Sequence, residues 1–402
     1  MTAEKLLSQA KQLQDTILKE RRTLHQNPEV GFDIKNTVSF VKKELTDIGI
    51  EAVDCGKAGI IALIGKKNPE KTFLLRADMD ALPIKEKSDV EFASINENMH
   101  ACGHDMHTAM LLGAARLLKL HEKEIKGTVK LMFQPAEEIF EGSHDMIQAG
   151  LLENPKVDAA LMIHVMAGMP FEAGTVIVSN AGISAPAADY FEITVKGKGC
   201  HGSMPNTGVD PVTAAAHIII GLQEIQTREL AMNERAVLTI GTINAGTAAN
   251  VIPDSVTMKG SLRTFDENVR SAIKQRMIDI SNGISKAFRA EASVVFGSGC
   301  PTLVNDADLS VCTLRYVKEL LGENKSISVA DLGGDSSKSA GSEDFAYVSH
   351  EVPSIMLTLA SGHPDKGYVY PQHHPMVKFD ESVLSIGSAV YAYTAMRWLE
   401  EQ

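Results

Sequence analysis

Between Met99 and His107 the chain reads MHACGHDMH, which places three histidines, a cysteine and an aspartate within nine residues. A thiol two residues from an imidazole, as in Cys102 and His104, can face one ion where the backbone turns, and Zn²⁺ and its neighbours accept such sulfur and nitrogen donors. More carboxylates and imidazoles follow short apolar runs. Asp78 and Asp80 lie in RADMDALP, Glu137 and Glu138 in FQPAEE, and His164 follows DAALMI. A late segment carries His363, His373 and His374. Adjacent side chains point in different directions. One carboxylate of the Glu137–Glu138 pair can therefore hold a metal while the other takes a proton from water, the division of labour a metal hydrolase needs. Either Asp78 or Asp80 suits the task of orienting a ligating histidine. His25 and His107 read as structural, and His121, His144 and His217 as surface or helix-packing positions.

These residues need a scaffold that gathers them. In open α/β sheets, ligands bind outside the carboxyl ends of the strands. Apolar periodicity predicts strands over Gly59–Ile64, Thr72–Arg76, Gly127–Phe133, Asp158–Ile163 and Ser354–Leu359. It predicts helices over Thr37–Leu45, Thr108–Leu120 (opened by the threonine as its cap), Asp306–Leu321 and Glu381–Glu400. Such alternation implies an α/β layer around a mostly parallel sheet. Between 185 and 300 the pattern changes to Tyr190–Val195, Asp210–Leu230, Val237–Ile243, Ser255–Arg263, Asp266–Ala290 and Ala292–Phe296. That β-α-β-β-α-β order is ferredoxin-like. The expected organisation is a metal-binding catalytic domain of residues 1–184 plus 301–402, with an inserted α+β domain at 185–300.

Composition narrows the class. A chain of 402 residues exceeds what one core usually serves, so two domains are expected. Net charge is −12 with the two signs interleaved, which excludes a nucleic-acid footprint. Five scattered cysteines do not form a disulfide framework and fit a reducing cytoplasm. The first eighteen residues read as an amphipathic helix without a signal-peptide core, and the apolar run Ala214–Leu222 is too short to span a bilayer. A cytoplasmic protein with no membrane partner is expected.

RADMDALP, MHACGHDMHTAMLLGAA, FQPAEE, HGSMP, NVIPD, GSEDFAYV and HHP occur in that order. On these blocks the chain resembles the M20 metallopeptidase family over nearly its whole length. The likeness is to the amidohydrolase branch of N-acyl-amino-acid, hippurate and indole-acetyl-amino-acid hydrolases. The resemblance implies a zinc-exopeptidase-like catalytic domain with an inserted lid and dimerisation domain. It implies two divalent metal ions per subunit held by Cys102, His104, Glu138, His164 and His373, with Cys102 bridging. Glu137 would be the general base and Asp80 the aspartate that supports a ligand. His373 is preferred to His374 because the family's ligand sits two residues before the proline. At Asp78 the wider family has a metal-binding histidine, for which the thiolate compensates; the ions would be Zn²⁺ or Mn²⁺, with Ni²⁺ or Co²⁺ also compatible.

The same resemblance gives His201 as a lid histidine that reaches the partner subunit's active site in a homodimer and stabilises the oxyanion. Asn250 and Arg263 would contact the substrate carboxylate. Cys200 and Asn206 stand where the branch has Gly and His. The implied reaction is hydrolysis of N-acyl-L-amino acids to a carboxylic acid and a free amino acid. Alternatives are a dipeptidase or carboxypeptidase, an N-acetyl-diaminopimelate deacetylase, or a metal- or ligand-binding protein without catalysis. The extra carboxylate Glu137 beside a full ligand set argues against the last.

Overall fold

Thr72–Asp78 and Thr128–Gln134 are seven-residue strands buried at every position, as strands covered on both faces are. They lie side by side and parallel in an eight-stranded sheet. The computed structural model describes residues 1–67, 69–333 and 341–402. Across the sheet the strands run Ala52–Cys55, Gly59–Gly65, Thr128–Gln134, Thr72–Asp78, Ala159–Met166, Ser354–Ala360, Val176–Val178 and Ser326–Ser328. The centre is parallel from Thr128–Gln134 to Ser354–Ala360, and antiparallel pairings occur toward both edges. Three short strands, Ala52–Cys55, Val176–Val178 and Ser326–Ser328, have too few residues to show a period. The helices His104–Leu120 and Leu384–Glu401 are buried almost all round and join the sheet in one apolar core.

The expected elements shift in four informative places. The strand expected to stop at Arg76 continues to Asp78, and the one expected to stop at Ile163 continues to Met166, so Asp78 and His164 lie inside strands. The helix expected from Thr108 begins at His104, with Gly103 as its N-cap in the left-handed region at φ 93°. Thr108 therefore caps nothing; its hydroxyl donates to the Asp78 carbonyl at 2.7 Å. The helix expected over Asp210–Leu230 runs from Pro211 to Glu224 before a π turn, Ile225–Glu229. Asp210 and Asp266 cap the helices Pro211–Glu224 and Glu267–Ala287, each accepting backbone N–H bonds.

The chain divides into two compact units. One comprises Met1–Ser184, Val304–Lys338 and Glu343–Gln402, the other Ala185–Leu303 with Ser339–Ser342. The second unit carries an antiparallel sheet in the order Ala236–Ala245, Ser255–Thr264, Ala187–Lys196, Glu291–Cys300. With its two helices this is the ferredoxin-like arrangement. Its own core includes Ile193, Ile218, Met258 and Met277. Among the described residues no helix is long and apolar enough to cross a membrane.

Candidate metal centre

The turn that opens the His104 helix is shaped by Gly103. A Cβ there would meet Val165 Cγ2 at 2.5 Å and Phe379 at 3.2 Å, at a φ that side chains rarely adopt. Cys102 and His104 flank that glycine. His104 Nδ1 donates to the Asp80 carbonyl at 2.8 Å, which fixes the tautomer and turns Nε2 inward. Nε2 then stands 3.5 Å from Asp78, 3.9 Å from Glu137 and 3.9 Å from Glu138. His164 repeats the device: Nδ1 donates to the Val165 carbonyl at 2.7 Å, and Nε2 lies 3.5 Å from the Cys102 sulfur. His373, held at φ 65° by a bond from its N–H to the Ala101 carbonyl at 2.9 Å, brings Nε2 to 3.6 Å from Glu138. Its neighbour His374 stacks on Tyr370 with ring centroids 4.3 Å apart and accepts a bond from the Met376 N–H.

Cys102, His104 and His164 form one donor trio and Cys102, Glu138 and His373 another, each with ligand atoms within 4.8 Å of one another. They share the thiol. His104 Nε2 and Glu138 Oε1 are buried with no hydrogen-bond partner, an arrangement that costs free energy unless a cation faces them. The residues therefore fit two divalent ions. Of the three other trios, His104 with Glu137 and Glu138 adjoins these donors, and two are excluded by their existing bonds. His107 uses both nitrogens, Nδ1 donating to Asp78 at 2.6 Å and Nε2 accepting from the Val165 N–H at 2.8 Å, so it has no lone pair to offer. In the trio of Glu137, Glu343 and Asp344, both Glu343 oxygens and one Asp344 oxygen are occupied by Arg76.

The Glu137–Glu138 loop lies between Ala136 and Phe140, both left-handed at φ 55°. Such backbone persists where its surroundings over-determine it, and it clusters at functional sites. Here the Asp80 carboxylate accepts the N–H groups of Glu137 at 3.0 Å and Glu138 at 3.3 Å. Asp80 thus meets His104 through its carbonyl and the acidic loop through its carboxylate; the latter is 3.6 Å from His104 Nδ1.

Beneath the loop lies a group not singled out in the sequence. Arg76, 1% exposed, donates to Gln134 at 2.8 Å, Asp78 at 2.7 Å, Glu343 at 2.8 Å and Asp344 at 3.2 Å. Glu343 and Asp344 belong to the GSEDFAYV block, which was the available signal, though no spacing assigned them a partner. His25 is buried between Asp105 and Glu86 at 2.8 and 3.1 Å. His363 accepts from the Asp365 N–H beside it. His121 bonds Glu124 and Gln9, while His144 and His217 pack on Tyr347 and Phe288.

Burial, then the nearby Glu343 carboxylate, holds the Glu137 carboxyl well above its usual range. Burial likewise lifts Glu138 to about 7 and Asp344 to about 8, and pushes the Cys102 thiol up. Burial lowers His107 to about 4, keeping the ring neutral. A consequence follows for the protein stripped of metal. Between the ordinary histidine value of 6.5 and pH 8, the raised carboxyls hold protons in the folded chain that they have lost in the unfolded one. Raising pH through that interval therefore favours unfolding. The melting temperature of chelator-treated protein is expected to fall across this range, and reloading with Zn²⁺ or Mn²⁺ to flatten the fall; a melting temperature rising with pH in the stripped protein would contradict the site electrostatics.

In the second unit, His201 and Asn250 are brought together. His201 pairs with Val251 in a two-stranded ribbon, and the Gly202 N–H donates to the Asn250 carbonyl at 2.8 Å. Both side chains are exposed. Arg263 lies on a different sheet, in the strand Ser255–Thr264 opposite Val237 and Ala188, and its guanidinium donates to the Ser342 hydroxyl.

Comparison with known proteins places this geometry. A model of peptidase family M20/M25/M40 matches residues 74–397. The chain is 37% identical to IAA-amino acid hydrolase ILR1-like 2 of Arabidopsis thaliana, over 99% of this chain and 89% of that one. It is 35% identical to an N-acetylcysteine deacetylase of Bacillus subtilis, over 96% and 97%. Among solved structures it resembles a Bacillus subtilis dinuclear metal-binding peptidase of the M20 family, with a TM-score of 0.77 and 33% identity over 97% of this chain and 99% of that one.

Proposed function

The chain belongs to peptidase family M20/M25/M40, and from that premise we propose that it hydrolyses the amide joining an acyl group to the nitrogen of an L-amino acid with a free carboxylate. The products are a carboxylic acid and an amino acid. The observation that carries this reading is the asymmetry of the acidic pair. Glu138 completes a donor trio with Cys102 and His373, while Glu137 stands outside both Cys102 trios, buried and beside them. Pure binding has no use for that second carboxylate. The names of the relatives, a deacetylase of an N-acetyl amino acid and an amino acid hydrolase, support the same substrate class.

Cys102, His104, Glu138, His164 and His373 would hold the ions, Zn²⁺ or Mn²⁺ with Ni²⁺ or Co²⁺ as further candidates. When bound, divalent cations there polarise a carbonyl and lower the pKa of water. Glu137 takes the water proton and returns it to the leaving amine. Asp80 holds the Glu137–Glu138 backbone in place. We assign catalysis to residues 1–184 with 301–402, and the lid and dimerisation role to 185–300. In the homodimer, Asn250 and Arg263 bind the substrate carboxylate in a charge-assisted contact, offsetting the repulsion of a chain of net charge −12. The partner's His201 stabilises the oxyanion, a role worth about 3 kcal/mol in other hydrolases. Among the described residues no disulfide joins the five cysteines, which suits a cytoplasmic location.

The test is metal analysis of the purified protein coupled to hydrolysis of a panel of N-acyl amino acids, dipeptides and N-acetyl-diaminopimelate. Preferential cleavage of N-acyl amino acids supports the reading; preference for dipeptides makes the protein a dipeptidase instead. Mixing inactive His201→Ala and Glu137→Ala subunits is expected to restore turnover, and failure to recover any would remove His201 from the partner's site.

A further inference from the structure

The two peptide units that meet at Val165 stand at a crossing of three side chains. Its N–H donates to His107 Nε2 at 2.8 Å, and its carbonyl accepts from His164 Nδ1 at 2.7 Å and from Gln372 Nε2 at 3.1 Å. A neutral imidazole that accepts at Nε2 must carry its proton on Nδ1, and that proton goes to Asp78 at 2.6 Å. Asp78 is itself held by Arg76 at 2.7 Å. The line from Arg76 through Asp78 and His107 thus ends on a backbone amide between two donor segments. His164 precedes Val165 in the strand, and Gln372 precedes His373 in its loop.

We propose that Asp78, His107 and Gln372 are positioning residues that act through the Val165 backbone to aim His164 and His373 at the ions. The proposal rests on the metal-centre reading above. It gives Asp78 a task although it lies outside the proposed ligand set. Asp78 selects the His107 tautomer that can accept; His107 then holds the Val165 backbone from its N–H side. The Val165 carbonyl, in the next peptide unit, selects the His164 tautomer whose Nε2 lone pair faces Cys102, and Gln372 ties the loop of His373 to the same oxygen. A histidine whose outer N–H is fixed by a carbonyl or carboxylate binds metal more tightly, and loss of such a partner typically costs ten- to a hundredfold in affinity.

The experiment is Co²⁺ titration of the full-length, metal-stripped protein, followed by its visible absorption, in wild type, Gln372→Glu, His107→Leu and His107→Gln. Cobalt reports both affinity and donor geometry, the latter through its ligand-field and thiolate charge-transfer bands. Gln372→Glu keeps the shape but loses the donor to Val165. It is expected to weaken Co²⁺ binding about tenfold or more and shift the bands, with the far-ultraviolet circular dichroism of wild type. His107→Leu is expected to act likewise. His107→Gln can still donate to Asp78 and accept from Val165, and is expected to recover most of the binding. Wild-type affinity and bands in Gln372→Glu or in folded His107→Leu overturn the proposal. Should His107→Leu fail to fold, Gln372→Glu decides alone. A wild-type protein that binds no Co²⁺ overturns the metal-centre reading instead.

Discussion

Glu137→Gln is expected to reduce kcat by about a thousandfold while leaving metal content and KM close to wild type. The substitution is nearly isosteric, and the loop it sits in is held by backbone groups. The Asp80 carboxylate grips the N–H of residues 137 and 138, whatever their side chains. Neither Cys102 trio includes Glu137. What glutamine cannot do is accept a proton from water and return it to an amine. The environment suits that cycle, since burial and the Glu343 charge raise the proton affinity of Glu137 and make it a stronger base than a solvated carboxylate. Glu138→Gln is expected to behave oppositely, losing metal along with rate. The check is kcat, KM and metal content on the same preparations. Near-normal turnover in Glu137→Gln would transfer the base to another residue.

Arg76→Met is expected to destabilise the fold by about 3–5 kcal/mol, because one guanidinium serves several buried acids. Asp78, Glu343 and Asp344 all accept from it, and each is less than a tenth exposed. Without it these carboxylates face one another and Glu137 without the guanidinium that balances them. Methionine fills the volume but satisfies neither the carboxylates nor the Gln134 oxygen that accepts at 2.8 Å. Arg76→Lys is expected to lose less, retaining charge but not the planar fork that reaches several acceptors at once. Urea denaturation of both variants tests this; an unchanged midpoint in Arg76→Met would mean the carboxylates share protons well enough to need no counter-ion.

Arg76 also shows where the sequence stops being readable. Cys102 and His104 announce themselves because two donors two residues apart can meet one ion through a local turn. Arg76 sits in an apolar run, TFLLRAD, and its acceptors Gln134, Glu343 and Asp344 lie 58, 267 and 268 residues away, so only the folded sheet joins them. Asp78 and Asp80 were equivalent as letters. They part ways because the strand runs to Asp78, whose side chain is buried against His107, while Asp80 lies beyond the strand and reaches the acidic loop. The helix start was misplaced for a related reason. A glycine before a helical run reads as punctuation, yet Gly103 is the cap, and the helix includes His104 itself. The β-α-β-β-α-β order of the second unit was legible because its long helices and strands keep a clear period.

The close approach of Gly103 to Val165 bears on how the site would choose its ion. Cys102 and His104 are carried by a turn with no slack: any side chain at 103 would collide with the strand that presents His164. Cys102 and His104, the two proposed donors on that turn, would therefore be set in place by folding before any cation arrives. A rigid cage discriminates by fit, accepting ions whose radius and preferred coordination match the spacing and rejecting tighter-binding ones that would need the donors to move. Gly103→Ala would change no donor atom, yet it would turn a sieve into a loose chelator, with selectivity drifting toward whichever ion binds thiolate and imidazole most strongly.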